Sequence, residues 1–187
     1  RLGQLSEQVL NQILQGGDLH RWGLAAAPKA SLNFGAAGIG FALARMSRAS
    51  GAPYLLAAAD AWIYRAAADK DAADAFYDDD EFRRDQLGET SPYHSLCGIY
   101  AARALLAGLG YCPELGPGQV HRYMATVELS VENRDLNLGI AGALLGTALL
   151  YEWWPLQALR EYGDRLATGL TDWLLAEGPM RESRAQI

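Results

Sequence analysis

The chain has 187 residues, 50% hydrophobic and 20% charged, with a formal net charge of −6. That usage is ordinary for a globular domain, which excludes intrinsic disorder and a continuous coiled coil, and the scattered Lys and Arg residues form no basic face for nucleic acid. Charge, Gly or Pro interrupts every apolar stretch before it reaches the roughly 18 residues of a membrane span, so none is expected.

Cys97 and Cys112 have no CxxC spacing, so neither a zinc motif nor a disulfide framework can be read from them, and a reducing, cytoplasmic setting fits best. Arg1 runs directly into a helical pattern with no signal-peptide core, and the chain reads as an internal fragment.

The first helix is expected over Leu5–Leu14, where Leu5, Val9, Leu10, Ile13 and Leu14 form one stripe and Gly16 and Gly17 end it. Ala36–Ala49 reads as a helix of small residues, and Pro53 opens another over Tyr54–Ala68. The stretch Asp69–Thr90 is rich in acids, with Asp78, Asp79, Asp80 and Glu81 in a row, and is expected to be a long surface loop. Helices resume over Ser95–Leu109, Gly118–Leu129, Gly139–Trp153 and Leu156–Leu175, separated by turns containing Gly110, Pro113, Pro117 and Pro155. No alternating pattern competes with them, and Val and Ile are too scarce for a sheet.

Three segments align without gaps: Ser31-Leu-Asn-Phe-Gly35-Ala-Ala-Gly38, Ser91-Pro-Tyr-His-Ser95-Leu-Cys-Gly98 and Asp135-Leu-Asn-Leu-Gly139-Ile-Ala-Gly142. Self-similarity of this kind marks a repeated supersecondary unit, and its unequal intervals fit a fixed hairpin joined by variable loops. In G-x-x-G the first Gly suits a turn or a close approach at a helix start, and the second lets the first helical turn pack tightly. Helices after each motif are small and apolar, whereas Tyr54–Ala68 and Leu156–Leu175 carry bulk and charge, including Asp60, Arg65, Arg160, Glu161 and Asp164. This points to an all-α toroid of hairpins, with small-residue helices inside and amphipathic ones outside. The chain would be a single domain over residues 1–187, a partial ring of about seven helices. An ordinary helical bundle or solenoid that uses G-x-x-G only for close packing is the competing architecture.

These repeats, Ser31-Leu-Asn-Phe-Gly-Ala-Ala-Gly-Ile-Gly and Asp135-Leu-Asn-Leu-Gly-Ile-Ala-Gly-Ala-Leu-Leu-Gly, together with the outer-helix stretch Tyr54-Leu-Leu-Ala-Ala-Ala-Asp-Ala, resemble the hairpins of lanthionine synthetase C-like (LanC-like) proteins. The resemblance runs from about Leu5 to Leu175. It implies an α/α barrel of about seven hairpins, of which this chain supplies roughly the first half. It also implies a cyclase whose zinc activates a precursor-peptide Cys thiol for addition to a dehydrated Ser or Thr. The family's zinc ligands, a Cys and a Cys-His pair, belong to later hairpins, so zinc is expected in the full-length domain and not in this fragment. Partners implied are the precursor peptide and a fused kinase-like or dehydratase domain.

Asp135 stands four positions before Gly139, where the resemblance implies an acid/base-assisting Asp; otherwise Asp135 would cap the following helix or pair with Arg134 or Arg122. Cys97 holds the small-residue place of Ala37 and Ala141 and is not counted as a ligand. His94 could face a central cavity as a base or ligand, against the plainer reading of a structural histidine. His20 and His121 have no ligand-spaced neighbours and read as surface residues. The Asp78–Glu81 run lacks the spacing of an Asp-rich Mg²⁺ motif. Trp22, Trp62, Trp153, Trp154 and Trp173 could line a sugar-binding mouth, as in six-hairpin glycosidases, but no carboxylate pair for hydrolysis can be selected. A non-catalytic toroid that binds peptide or regulates a fused kinase-like enzyme is the remaining alternative.

Overall fold

A computed structural model of the chain describes residues 2–15, 24, 26–78, 80, 83–84, 91–127 and 133–176. Among them are seven α-helices and no strand: α1 (Leu2–Gln15), α2 (Ala36–Ser50), α3 (Tyr54–Asp69), α4 (Leu96–Gly108), α5 (Gly116–Val127), α6 (Ile140–Tyr151) and α7 (Gln157–Ala176). The all-helical reading therefore holds, and no helix among the described residues is long and apolar enough to cross a membrane.

Three helical hairpins follow one another: α2 with α3, α4 with α5, and α6 with α7. The Gly- and Ala-rich helices α2, α4 and α6 form one row, α2 against α4 and α4 against α6. Their successors lie on the far side, with α3 also resting on α4. Short apolar side chains permit the close approach within the row, while α7 turns Arg160, Glu161 and Asp164 outward.

Helix α4 is buried on nearly every side and serves two cores. Ile99, Ala102, Leu105 and Leu106 join Leu43, Leu55, Trp62 and Ile63 of the first hairpin. Cys97, Ala101 and Ala104 join Val120, Tyr123, Leu150 and Leu159. Trp residues tie elements together through their indole N–H. Trp62, fully buried, donates to the Ile13 carbonyl at 3.2 Å and holds the end of α1. Trp154 donates to the Ala104 carbonyl at 2.8 Å and joins the third hairpin to α4. These tryptophans act in packing rather than at a sugar-binding mouth.

Several boundaries differ from expectation. Pro117 lies inside the first turn of α5, where its missing N–H has no intrahelical acceptor to lose. Helix α6 ends at Tyr151, so Trp153 and Trp154 belong to the turn that follows. The acidic segment begins one residue later than expected, because Asp69 is the last residue of α3 and pairs with Arg65 at 2.7 Å. Nor is its beginning all surface: Lys29 and Ala30 donate to the carbonyls of Asp74 and Ala75, and Ala75 and Phe76 enter the core. That apolar pair covers the end of the first hairpin, a gain that outweighs the polar composition around it. Asp79, Glu81, residues 85–90, His20, Trp22, Gly16 and Gly17 lie outside the described residues, as do the side chains of Leu5 and Val9.

Candidate functional site

Each hairpin enters from the same short turn, and a short polar side chain organises each one. Ser31 Oγ accepts from the Phe34 amide at 3.0 Å, and Ser91 Oγ accepts from the Tyr93 amide at 3.2 Å. Asp135 Oδ1 accepts from the amides of Asn137 and Leu138 at 2.7 and 2.9 Å. The surrounding backbone repeats too: Ala36 donates to Lys29 and Ile140 to Asn133, both at 2.8 Å.

The paired glycines have a spatial rather than a conformational cause. Gly35 and Gly139 cap α2 and α6 with φ of −105° and −147°, extended backbone open to any residue. A Cβ on them would stand 2.3 Å from the Ser31 nitrogen and 2.1 Å from the Asn133 oxygen. The second glycines, Gly38, Gly98 and Gly142, each lie against a carbonyl of the preceding turn, belonging to Leu32, Pro92 and Leu136. Where Ser95 replaces the first glycine, its Oγ accepts from the Cys97 amide at 3.4 Å and caps α4.

Neighbouring turns are linked in chain order. The Asn33 amide donates to the Tyr93 carbonyl at 3.1 Å, and Ser91 Oγ donates to the Asn137 carbonyl at 2.5 Å. His94, with no exposed surface, sits where the three meet, its ring 5.9 Å from that of Phe34. Burial holds its imidazole below the ordinary value near 6.5, and the nearby Asn137 side chain opposes that shift. His94 is therefore a packed histidine at a junction between repeats. Cys97 is equally buried, 3.2 Å from Ser95 Oγ, and burial pushes its thiol up to about 12. It stays a neutral thiol and is poorly suited to binding a metal or attacking an electrophile.

A groove of about 240 Å³ runs over α4 on the face turned away from α3 and α5. Ala101 and Leu105 floor it, Phe41 and Arg45 of α2 form one wall, and Gly142, Gly146 and Leu149 of α6 form the other. The turn residues Leu32 and Pro92 close one end and Trp153 the other. Among the described residues, Arg45 is the one charged side chain in the walls, and no carboxylate faces it there. Arg48, one helical turn on, lies over the Trp153 ring at 4.5 Å.

Of the sequence candidates, Asp135 is exposed, bound to its own turn and outside this groove; the cap of α6 is Gly139. His121 is exposed on α5. Asp78 accepts from the Asp80 amide at 2.9 Å, a local turn. No cluster of three or more His, Cys, Asp or Glu suited to a metal occurs among the described residues, and buried Cys97 and His94 are not a zinc donor set. The groove was missed because the alignment of the three repeats shows which positions correspond, not which side chains face one another across the repeats. Compared with known proteins, the chain matches no family model, no curated protein and no solved structure.

Proposed function

We propose that the chain is part of a LanC-like cyclase domain, an α/α toroid whose complete form makes thioether cross-links and whose present segment alone is inactive. In that reaction the peptide Cys thiol gives up its proton, its sulfur bonds to the β-carbon of a dehydrated Ser or Thr as the Cα=Cβ π bond breaks, and a proton is delivered to the α-carbon. Zinc in the complete domain would supply the thiolate. The described residues offer no donor set for it.

One observation carries the reading: three turns of identical design, each setting a glycine beneath a carbonyl, are hydrogen-bonded in order along the entry end of α2, α4 and α6. Repetition of one join along a row of helices is the arrangement that a ring of hairpins requires. Between the first two hairpins the inner helices α2 and α4 pack together while the outer α3 and α5 have no comparable contact, whereas α5 and α7 do touch between the second and third.

The parent reading frame tests the proposal directly. A downstream Cys followed by a Cys-His pair is expected, and their absence would refute the cyclase. Metal analysis of this chain should find no stoichiometric zinc, whereas tight one-to-one binding would refute the placement of the ligands elsewhere.

Asp135 is the one catalytic residue proposed, as an acid/base assistant. In the full-length parent, Asp135→Ala removes both the carboxylate and the turn cap, but Asp135→Ser restores the cap that Ser31 and Ser91 make in the other repeats. Loss of cyclisation in both variants, with the Ser variant folded as wild type, supports catalysis. Normal turnover of the Ser variant would leave Asp135 only its structural role. That local role favours the second reading, a non-catalytic peptide-binding or regulatory toroid fused to a kinase-like enzyme. Glycoside hydrolysis draws no support from the groove, where no carboxylate occurs among the described residues.

A further inference from the structure

We propose that the groove over α4 binds a small amphiphilic carboxylate, an aromatic ring or short branched chain bearing one acid group. This goes beyond the cyclase reading and does not depend on it.

Size comes first. A dry apolar cavity of about 150 Å³ is enough to take up benzene. At about 240 Å³, this groove has room for a ring with a short linker. Small residues leave that space, since Ala101 brings only a methyl group to the floor and Gly142 and Gly146, seated against the Leu136 carbonyl and the Tyr123 hydroxyl, bring no side chain. Both ends are closed, by the turn residues and by Trp153, which suits a compact occupant better than a peptide passing through.

Charge selects the head group. Arg45 is exposed at the wall and forms no ion pair among the described residues. An always-charged, planar guanidinium beside an apolar cavity is the donor that a carboxylate recognises in bidentate fashion. Arg48 adds positive potential at the Trp153 end. With no acidic wall residue among the described residues, this is a local cationic site on a chain of net charge −6. Mostly apolar lining with one well-placed polar group is the usual form of a small-molecule site.

The test titrates phenylpropionate into the ¹⁵N-labelled 187-residue chain and follows amide shifts. Saturable shifts are expected at Ala101, Gly142 and Gly146, and phenylpropylamine, the same ring with a cationic head, should bind about two- to fivefold more weakly. Arg45→Glu should reverse that order; Arg45 is exposed, so its replacement leaves the fold intact. Ala101→Leu should abolish both interactions by filling the floor. If Ala101→Leu lowers the melting temperature, Arg45→Gln takes its place and should equalise acid and amine. Absence of saturable shifts, equal binding of acid and amine to the wild type, or indifference to Arg45→Glu would overturn the proposal. So would tighter binding of a short peptide ending in a free Phe, which would make a peptide C-terminus the occupant.

Discussion

Gly98 lies directly beneath the carbonyl of Pro92, so closely that a Cβ on it would stand 2.0 Å from that oxygen. The same relationship recurs at Gly38 under Leu32 and Gly142 under Leu136, each at 2.2 Å. A methyl group there cannot be accommodated without separating turn from helix. Gly→Ala within a helix ordinarily gains up to about 1 kcal/mol in propensity. Gly98→Ala should instead lose roughly 2 kcal/mol or more, as overpacked interiors do. Gly169→Ala on α7 is the matched control, since nothing lies within 4 Å of its added carbon, and it should gain roughly 0.5–1 kcal/mol. Urea denaturation of both variants decides the matter, and a neutral or stabilising Gly98→Ala would contradict the packing described.

Ser91 differs from Ser31 in what its hydroxyl reaches. Both cap their own turns, but Ser91 also donates to Asn137 in the next repeat. Removing a buried hydroxyl that satisfies two groups costs about 1–3 kcal/mol, while loss of a capping hydroxyl alone costs typically about 1. Ser91→Ala should therefore be the more destabilising of the two in thermal or denaturant unfolding. Equal losses would mean that the link between repeats adds nothing to stability.

Helices and their order were legible because the apolar period and the Gly-rich starts both act locally. Ala36, Leu43 and Ala44 fall on the buried face of α2 as helical spacing requires. The common place of Ser31, Ser91 and Asp135 was visible in the alignment, and all three proved to cap a turn. The reason for the second glycine was not visible, because the carbonyl it meets is positioned by the fold of the turn. Ala75 and Phe76 were hidden among acids, although burial follows the covered surface of the first hairpin rather than local composition. The groove escaped for a similar reason: Arg45 looks like one more scattered charge until α6 brings Gly146 and Leu149 opposite it.

The two thiols should differ sharply in reactivity. Cys112 is exposed, whereas Cys97 is fully buried and its thiol is pushed up to about 12 by burial. Only thiolate reacts rapidly with disulfide reagents. In native buffer at neutral pH, Ellman's reagent should titrate one thiol per chain, and the second should appear only on unfolding. Cys112→Ser should abolish the fast phase. Rapid modification of both thiols would show that α4 is not packed as described.

His94 should make stability depend on pH in one direction. Its folded-state value is lowered by burial, so the unfolded chain takes up the proton first as pH falls. Stability rises with pH wherever the unfolded state binds more protons. The contribution of His94 is therefore constant above the unfolded value near 6.5 and is lost progressively as pH drops from there toward the lower folded-state value. Other groups titrate in the same range, so the comparison must be between variants. His94→Leu introduces the residue type that Leu138 supplies at the matching place in the third repeat. Melting curves for wild type and His94→Leu between pH 8 and pH 5 should run parallel at the alkaline end and diverge below about 6.5, with the wild type falling more steeply. Parallel behaviour throughout would mean that the imidazole is not buried at the junction of the three turns. A wild type that gained stability on acidification relative to the variant would require a carboxylate partner, raising the folded-state value of His94 instead of lowering it.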